Sequence, residues 1–453
     1  MDEQNIRLME LQPGRSWDRP RSPIPPLEQT EREIEQRLAA VAPQRERVFA
    51  AIDAMRDRIV ACLQGLVRIP SVNPGDFPTP DDRFEKDLAD HVSGEMLALG
   101  MEVRQIEPAP RRTSVLGRRR GTAGDRSLLF YAHLDTVPFG DPAEWTYPPL
   151  SATLADGKVW GRGAKDCKLG LAAALTALRA FEDAEIRLAG DLQIVAPADE
   201  EMGGQWGIAQ MIAQDMIKAD WAIYGEGMPD FITIGHRGMM NLKITTHGVT
   251  AHTARKHLGQ NAILKMCRLA PRIDAIEFTR WQPHPVVPAG PVASANVVRG
   301  GFKENVVPDR CSLTVDVRFP PGCHHQPLVD EVRAAIEQAQ REFPYLGEVD
   351  LELVNIARPS FVDPDEPLVR YMQRVASEVQ GRQVEARGML ATSDSRWILL
   401  DAGIPVVNFS MGNVSGHRPN EWAGVEDLIA NTKIYALIAL ALLGPDHARR
   451  TRS

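Results

Sequence analysis

The sequence predicts an α/β fold in which a discontinuous domain with a mostly parallel sheet carries a smaller inserted α+β domain. Short apolar runs typical of buried strands alternate with helical patterns between residues 127 and 226. Between residues 236 and 352, alternating polar and apolar strands with amphipathic helices replace that pattern. The α/β pattern then returns. A chain of 453 residues is also long enough for two hydrophobic cores.

The N-terminal part of the chain is predicted to be a polar arm followed by helix. Residues 1–26 are polar and rich in proline, and we expect an extended arm with no core of its own. Residues 27–69 place apolar side chains at helical spacing. The Ile69–Pro70 step ends this stretch, because a residue before proline avoids helical backbone angles. A second amphipathic helix is predicted from Glu85 to Leu99.

The first part of the α/β domain, residues 27–235, contains the alternation on which the fold class depends. SLLFYA, DLQIVAPA and ADWAIYGE read as buried strands, whereas GLAAALTALRAFE and GIAQMIAQ read as helices. Strands that alternate with helices in this way predict parallel pairing. A second part of the same domain is predicted over residues 353–446, which end in the long apolar pattern EDLIANTKIYALIALALL.

The inserted domain, residues 236–352, has a different texture. GMMNLKITTHG, VASANVVRGG and CSLTVDVRF alternate as half-buried strands do, and NAILKMCRLAPRI and LVDEVRAAIEQAQREF have the spacing of amphipathic helices. We therefore predict a smaller α+β unit over these residues.

Composition excludes several classes of protein. The formal net charge of −8 argues against nucleic acid and anionic membrane surfaces as partners, since both require a basic face. The cysteines form no CxxC pair and are odd in number, which predicts neither a disulfide framework nor a cysteine zinc site. The five cysteines are Cys62, Cys167, Cys267, Cys311 and Cys323. The charged N-terminus does not resemble a signal peptide, so we expect a cytoplasmic protein.

Polar residues of the kind that bind metals follow several predicted strands. His133 and Asp135 come directly after SLLFYA, where an imidazole can bind a metal while the carboxylate orients its ring. A surface turn is the commoner meaning of a lone His-x-Asp pair. Asp166 lies in the glycine-rich segment WGRGAKDCKLG, which alone is equally typical of a helix entry.

Two further clusters have the same placement. Asp199, Glu200 and Glu201 are adjacent carboxylates after DLQIVAPA, and they repel one another unless positive charge lies among them. His417 lies in GHRPNEW, after the predicted strand IPVVNFS. Each cluster has an ordinary explanation as a solvated turn. Because functional loops gather at the carboxyl ends of strands, four such clusters together predict a metal centre.

These segments in order resemble one enzyme family. HLDTVP, GRGAKDCKLG, ADEEMGG, YGEG, THGVTAHTA, NVVPDRCSLTVDVRFPPG, ATSDSRW and GHRPNE are similar to the zinc-dependent metallopeptidase family of acetylornithine deacetylase, succinyl-diaminopimelate desuccinylase, aminoacylase and carboxypeptidase G. The resemblance covers residues 55–445. It implies a zinc-peptidase catalytic domain, an inserted ferredoxin-like lid that also forms a homodimer, and hydrolysis of an amide bond in a small, carboxylate-bearing substrate such as an N-acylated amino acid.

The resemblance also implies a set of metal ligands. His133 and Glu226 would bind one metal, Glu201 and His417 would bind the other, and Asp166 would bridge them. The cofactor would be two divalent ions per chain, Zn²⁺ first, with Co²⁺ or Mn²⁺ as alternatives.

The remaining catalytic roles follow from the same resemblance. Glu200 would act as general base and acid on a water shared by the metals, and Asp135 would orient a ligating histidine. His252, in the inserted domain, would stabilise the oxyanion, often from a partner chain.

Five further residues resemble substrate contacts. Asn305 and Arg318 match positions in the inserted domain, and an arginine fork suits a carboxylate. Thr392, Ser393 and Arg396 match a loop on the substrate side of the desuccinylase subgroup. A strand ion pair for Arg318, and a polar turn for the other three, are the structural alternatives.

The sequence departs from the family pattern at Cys167, Leu169 and Ala391 and in its long N-terminal arm. None of these residues is an expected ligand, so the departures bear on substrate identity. A dipeptidase, a carboxypeptidase or a hydrolase of an unusual amide or arylamine would use the same residues. A non-catalytic relative is disfavoured because Glu200 is present.

Overall fold

The computed structural model describes residues 23–73 and 84–446. They form two compact units, which are described separately. The inserted unit consists of residues 235–361 and 388–392, and the main unit contains the other described residues. Most of the predicted N-terminal arm, residues 1–22, lies outside the described residues.

The helices of the described residues are numbered in chain order. They are α1 (Leu27–Ala40), α2 (Ala42–Ala54), α3 (Arg56–Arg68), α4 (Lys86–Ala98), α5 (Lys168–Asp183), α6 (Ile208–Ala213), α7 (Ala262–Asp274), α8 (His325–Glu342), α9 (Pro367–Gln380) and α10 (Val425–Leu443).

The strands are numbered in the same way. They are β1 (Glu102–Ile106), β2 (Ser114–Arg119), β3 (Ser127–Tyr131), β4 (Thr153–Ala155), β5 (Lys158–Trp160), β6 (Asp191–Ala196), β7 (Trp221–Tyr224), β8 (Phe231–His236), β9 (Gly238–His247), β10 (Val292–Gly300), β11 (Arg310–Phe319), β12 (Val349–Ala357), β13 (Ser360–Phe361), β14 (Glu385–Met389), β15 (Val406–Asn408) and β16 (Trp422–Gly424).

The helical stretch predicted over residues 27–69 is three helices. Breaks fall at Val41 and Met55, where the backbone leaves the helical region (φ −95°, ψ 2° and φ −101°, ψ 21°). Pro43 explains the first break, because it has no N–H to continue the bonding of α1 and is tolerated in the first turn of α2.

The main unit is built on a mixed sheet with the strand order β1-β2-β6-β3-β7-β15-β8. Parallel pairing joins β6, β3, β7 and β15, so the predicted parallel arrangement describes the centre of the sheet. The β1–β2 and β2–β6 pairs are antiparallel, which makes the sheet mixed. The carboxyl ends of β3, β6 and β7 lie at one edge, and this edge holds most of the predicted metal ligands.

Helix α5 gives that edge a rigid support. Nearly all of its side chains are buried, and its run of alanines allows close packing against neighbouring helices. It packs against α10, where the hydroxyls of Thr176 and Thr432 lie 3.1 Å apart. Because α5 begins at Lys168, two residues after Asp166, a fixed helix determines where the predicted bridging loop ends.

The inserted unit is a four-stranded antiparallel sheet of order β10-β11-β9-β12 with two helices. Its chain order, β9-α7-β10-β11-α8-β12, is the β-α-β-β-α-β arrangement of ferredoxin-like domains. Apolar residues from α7, α8 and one sheet face form its core, including Met240, Leu269, Val315 and Val332. The unit extends to residue 361 where the sequence placed its end at 352, because β12 continues to Ala357 as the fourth strand.

Among the helices of the described ranges, none combines the length and the apolar character that a membrane crossing requires. The five cysteines are free thiols.

Candidate metal centre

His133 is fixed at the end of β3 with one ring nitrogen turned toward the other predicted ligands. The side chain is fully buried, and its Nδ1 lies 3.0 Å from the backbone oxygen of Asp135 and 3.5 Å from that residue's Oδ1. Nε2 lies 3.1 Å from Oδ1 of Asp166. Because the Nδ1 proton is directed at the Asp135 carbonyl, Nε2 is the nitrogen whose lone pair is available to a metal.

The carboxylate of Asp135 also organises the acidic turn. It accepts the backbone N–H groups of Glu200 and Glu201, each at 3.0 Å, and the side-chain amide of Asn73 at 2.7 Å. Burial by itself would raise the pKa of Asp135, but the bonds to His133 and Asn73 hold it below its ordinary value. Asp135 therefore remains ionised and fixes the backbone from which the two glutamates project.

Asp166 lies between the two histidines. Its Oδ1 is 3.1 Å from Nε2 of His133, and its Oδ2 is 3.1 Å from Nε2 of His417. Burial acts to raise the pKa of Asp166, but the hydrogen bonds from both histidines hold it well below its usual range. A carboxylate with one oxygen directed at each histidine has the arrangement that a bridging ligand needs.

The three adjacent acids 199–201 are separated by the shape of their turn. Asp199 has φ +73°, after which residues 200–202 form a single 3₁₀ turn. The Asp199 carboxylate turns away to Arg112, with a closest approach of 2.6 Å, while Arg112 lies 2.9 Å from Glu85. Glu201 turns the other way, with Oε2 at 3.1 Å from Nε2 of His417. Repulsion among the acids is relieved by a guanidinium on one side and an imidazole on the other.

His417 is the exposed member of the cluster. It has φ +67° and a side chain that is 56% exposed. Hydrogen bonds to Asp166 and Glu201 raise the pKa of His417 to about 11. Ligand atoms of Asp166, Glu201 and His417 all lie within 4.8 Å of one another, a spacing that one metal ion can span.

Two buried carboxylate oxygens near this cluster are available to a cation. Within residues 23–73 and 84–446, Oε1 of Glu201 and Oε2 of Glu226 are buried and have no hydrogen-bond partner. Burial raises the pKa of Glu201 to about 7 and that of Glu226 well above its usual range. Buried oxygens of this kind are costly unless a cation or proton satisfies them. Together with two imidazoles, they make a nitrogen-and-oxygen donor set typical of catalytic zinc, cobalt and manganese sites.

Glu200 shares the turn with Glu201 but not its contact with His417. Its side chain is half-buried in the 3₁₀ turn that follows β6. Burial raises the pKa of Glu200, and the carboxylates of Asp166 and Asp135 add to that effect while His133 opposes it. A carboxyl group whose pKa is raised in this way is a stronger base than an ordinary glutamate, which suits it to accepting and returning a proton.

Arg318 and Thr392 meet on the half-exposed face of the inserted sheet. Arg318 Nη1 donates to Thr392 Oγ1 at 3.1 Å, and its Nε and Nη2 donate to the two carboxylate oxygens of Asp316 at 2.6 and 3.1 Å. Asn305 is exposed in the loop before β11. The strand ion pair considered from the sequence is therefore present, and it leaves Arg318 only 34% exposed.

Ser393 and Arg396, also expected at the substrate, are buried in the main unit. Ser393 Oγ accepts from Asn408 Nδ2 at 2.8 Å. Arg396 donates to the backbone oxygens of Ser393 at 3.0 Å and Gly203 at 2.6 Å. Their bonds support the end of the acidic turn, and contact with substrate stays a prediction for both. The buried carboxyl of Asp394 lies beside Arg396 and was not singled out from the sequence.

His252 begins a 3₁₀ turn in the inserted unit. Its Nδ1 accepts the backbone N–H of Ala254 at 3.1 Å, and the side chain is exposed. In the neutral ring this leaves the proton on Nε2, where it is available to an external acceptor.

Comparison with known proteins identifies the family. A model of peptidase family M20/M25/M40 matches residues 129–441, more than half of the chain. The chain belongs to this family. It is similar to a succinyl-diaminopimelate desuccinylase of Rhodospirillum centenum (strain ATCC 51521 / SW), with 28% identity over 390 residues that cover 84% of this chain and 96% of the relative.

Solved structures agree on the M20 fold. The di-peptidase Dug1p of Saccharomyces cerevisiae has a TM-score of 0.71 at 15% identity, covering 88% of this chain and 98% of its own. The YXEP protein of Bacillus subtilis, a dinuclear metal-binding M20 peptidase, has a TM-score of 0.62 at 15% identity, covering 86% and 99%. The chain is therefore a metal-dependent amide hydrolase that acts on small molecules, in a family that binds dinuclear metal.

Sequence reasoning missed the residues that hold this M20 centre in place. Four residues contact the loops of the expected ligands without being expected ligands themselves: Asn73, Arg112, Arg162 and Glu421. Arg162 and Glu421 do lie within the segments GRGAKDCKLG and GHRPNEW. A charged residue inside a predicted ligand loop could have indicated a supporting role. A single sequence does not show which residue pairs with that charge.

Proposed function

We propose that this M20 enzyme is a two-metal deacylase that cleaves the amide bond of a small N-acylated amino acid or a related carboxylate-bearing substrate. The observation that carries the proposal is the position of Asp166, with one carboxylate oxygen 3.1 Å from each of His133 and His417. The similarity to succinyl-diaminopimelate desuccinylase over 84% of the chain supports the acyl-amino-acid class over other amides.

In this proposal His133, Asp166 and Glu226 would hold one divalent ion, and Asp166, Glu201 and His417 would hold the other. Two such ions supply Lewis acidity, which polarises the scissile carbonyl and makes a water molecule a stronger nucleophile. The unpartnered buried oxygens of Glu201 and Glu226 support this assignment. Zinc suits the donor set best, with cobalt and manganese as alternatives.

Glu200 handles the proton. Its carboxylate takes the proton of the attacking water and then donates it to the departing nitrogen, so that the amine leaves neutral. The raised pKa of Glu200 supports both transfers, because a carboxylate with a raised pKa is a stronger base toward the water. Asp135 contributes by holding the backbone N–H of Glu200, which limits where the carboxylate can swing.

His252 donates from Nε2 to the oxyanion that forms as water adds to the carbonyl. The acceptor role of Nδ1 toward Ala254 supports this assignment, because it keeps the Nε2 proton in place. In this proposal the inserted unit is a lid that closes over substrate, and the histidine comes from the partner chain of a homodimer.

An apolar surface on the inserted unit supports the homodimer. Val297, Val298 and Phe302 are 41%, 63% and 76% exposed along β10 and the loop after it, and Leu264 of α7 is 62% exposed. Strand β10 is also an edge of its sheet, so its outer backbone groups have no strand to pair with among the described residues. An exposed edge with apolar side chains is typical of a protein interface.

Arg318 and Thr392, with Asn305, recognise the substrate carboxylate. Arg318 is already aligned by Asp316 and Thr392, so its guanidinium loses little freedom when an anion binds.

A substrate panel tests this function. Zinc-reconstituted protein is assayed with N-succinyl and N-acetyl amino acids and with unblocked dipeptides that share the same amine portion. We expect the acylated amino acids to give the highest kcat/KM. A preference for dipeptides at least about tenfold above every acylated compound would instead assign a dipeptidase, the activity of the structurally similar Dug1p.

A further inference from the structure

A buried ion pair lies beside the metal centre without belonging to the proposed chemistry. Arg162 Nη1 lies 2.7 Å from Oε2 of Glu421, and the two side chains are only 2% and 1% exposed. Removing two charges from water costs free energy that a buried pair often fails to recover, so stability alone is a poor explanation for it. Its contacts indicate a different purpose.

Glu421 uses its second oxygen to hold the loop of the bridging carboxylate. Oε1 accepts the backbone N–H of Lys165 at 2.9 Å and of Asp166 at 3.0 Å. These N–H groups precede α5 and are not part of its hydrogen bonding. Because they are tied to one carboxylate oxygen, the backbone of Asp166 is fixed while its side chain faces His133 and His417.

Arg162 extends the connection to two more ligand loops. Nη2 donates to the backbone oxygen of Pro138 at 3.1 Å, at the end of the segment that begins with His133. Nη1 donates to the backbone oxygen of Arg418 at 3.1 Å, the residue after His417. The guanidinium of Arg162 therefore contacts the loops of His133 and His417, and its partner Glu421 contacts the loop of Asp166.

We propose that Arg162 and Glu421 are positioning residues that set the separation of His133, Asp166 and His417 and thereby the affinity of the metal pair. The expected effect on metal affinity rests on the proposed two-metal function. The contacts of Arg162 and Glu421 with the three loops do not depend on a bound metal. Ligands held in place before binding lose less freedom when the metal binds. Replacing a residue that hydrogen-bonds a metal ligand or its loop typically weakens metal binding by about 10–100-fold.

The first experiment measures zinc affinity by competition with a chromophoric chelator. Glu421→Gln keeps the size of the side chain but removes the charge opposite Arg162, and we expect the dissociation constant of at least one zinc ion to rise about 10–100-fold. Glu426→Gln, which alters the exposed pair with Arg56, is the matched control and should bind zinc as wild type does.

A second control separates positioning from general destabilisation. Leu437 is fully buried in α10, and Leu437→Ala should lower the thermal midpoint of the protein without changing zinc affinity. Zinc affinity that falls equally in Leu437→Ala and Glu421→Gln would overturn the positioning role, as would wild-type affinity in a folded Glu421→Gln variant.

Hydrogen exchange of the metal-free protein provides a readout that needs neither metal nor activity. We expect Glu421→Gln to raise amide exchange in peptides covering residues 133–138, 162–167 and 415–420 and to leave β6 and α10 protected. If Glu421→Gln does not fold, Arg162→Lys carries both measurements, since it keeps the charge but reaches fewer acceptors.

Different results would reject the two-metal function and the positioning role. Wild-type protein that binds no metal pair, but whose loops loosen in the variant, would reject the proposed function and keep the positioning role. Unchanged exchange in these loops would reject the positioning role whatever the metal content.

Discussion

The loops at the carboxyl edge of the main sheet and the loops around His252 in the inserted unit are held in contrasting ways. At the sheet edge, side-chain carboxylates bind backbone N–H groups from other loops, as Asp135 does for Glu200 and Glu201. Around His252 the cross-loop bonds are between backbone groups, such as the 3.0 Å bond from Thr253 N to Asn305 O, and the side chains are largely exposed.

This difference indicates which proposed role suits each unit: the main unit holds metal ligands, and the inserted unit supplies the oxyanion donor. Metal ligands must be placed to within a fraction of an ångström, and in the proposed function the main unit supplies that placement from its own residues. An oxyanion donor is required only in the transition state, and the exposed His252 is able to meet an acceptor from outside its unit. We therefore expect substitutions in the two regions to fail in different ways.

The largest expected effect is at Glu200. Glu200→Gln should lower kcat by about 10²–10⁴-fold and keep both metals, because the amide cannot accept a proton from water. Steady-state kinetics and metal analysis of the same sample check this. Turnover close to that of wild type would show that another group moves the proton. Glu182→Gln, a substitution at an exposed position of α5, serves as the control.

His252→Ala tests the proposed role of the inserted unit. Loss of an oxyanion donor should lower kcat by about 10²–10³-fold with KM and metal content little changed. Normal kcat would remove His252 from the mechanism. Exposed His257 of the same turn is the matched control, as His257→Ala.

Subunit mixing tests the cross-chain part. Chains carrying His252→Ala mixed with chains carrying Glu200→Gln should recover activity if each site draws its histidine from a partner. Absence of recovery, with subunit exchange demonstrated by mass spectrometry, would place the histidine's action within its own chain.

A smaller effect is expected at Arg318. Arg318→Lys keeps the charge beside Asp316 but loses the planar fork, and kcat/KM for carboxylate substrates should fall about 10–100-fold. A substrate with a carboxamide in place of the carboxylate should be affected much less. Arg310→Lys, an exposed change on the same strand, is the control. Equal losses for both substrates would remove Arg318 from carboxylate recognition.

The last prediction concerns stability and not turnover, and it depends on the pKa of Glu85, which contacts Arg112 beside Asp199. Burial raises the pKa of Glu85 to about 8, so the folded protein holds a proton that the unfolded chain releases at a pKa near 4.5. The contribution of Glu85 to stability is full below the lower value and is lost as pH rises toward the upper one. Each pKa unit of the difference is worth about 1.4 kcal/mol.

Glu85→Gln should therefore flatten the fall in thermal midpoint between about pH 5 and about pH 8. Glu28→Gln, at an exposed position of α1, should leave the wild-type profile unchanged. Parallel profiles for wild type and Glu85→Gln would mean that Glu85 is ionised in the folded protein over this range.

The sequence predicted the α/β class, the inserted unit and the elements around the centre because each depends on local periodicity. β6 and α5 are continuous in both pattern and structure. The β1–β2 hairpin and the antiparallel pairing of β2 with β6 were not predicted. The β2–β6 pairing joins segments far apart in the chain, which local periodicity cannot indicate.

The same limit applies to the centre. His133, Asp166, Glu201 and His417 could be singled out because metal-binding residue types follow strands, and the structure brings these four together. The bonds from Asp135 to the acidic turn, and from Glu421 to the bridging loop, join residues more than about sixty positions apart. Local patterns carry no record of such pairings.

The most direct test of the central claim is a metal count on zinc-reconstituted protein and its Asp166→Ala variant. Elemental analysis after removal of unbound zinc should give close to two zinc ions per chain for wild type and a clear loss for the variant, because Asp166 lies between both histidines. A wild-type content near one ion per chain, or an Asp166→Ala variant that retains the full wild-type content, would contradict the two-metal account.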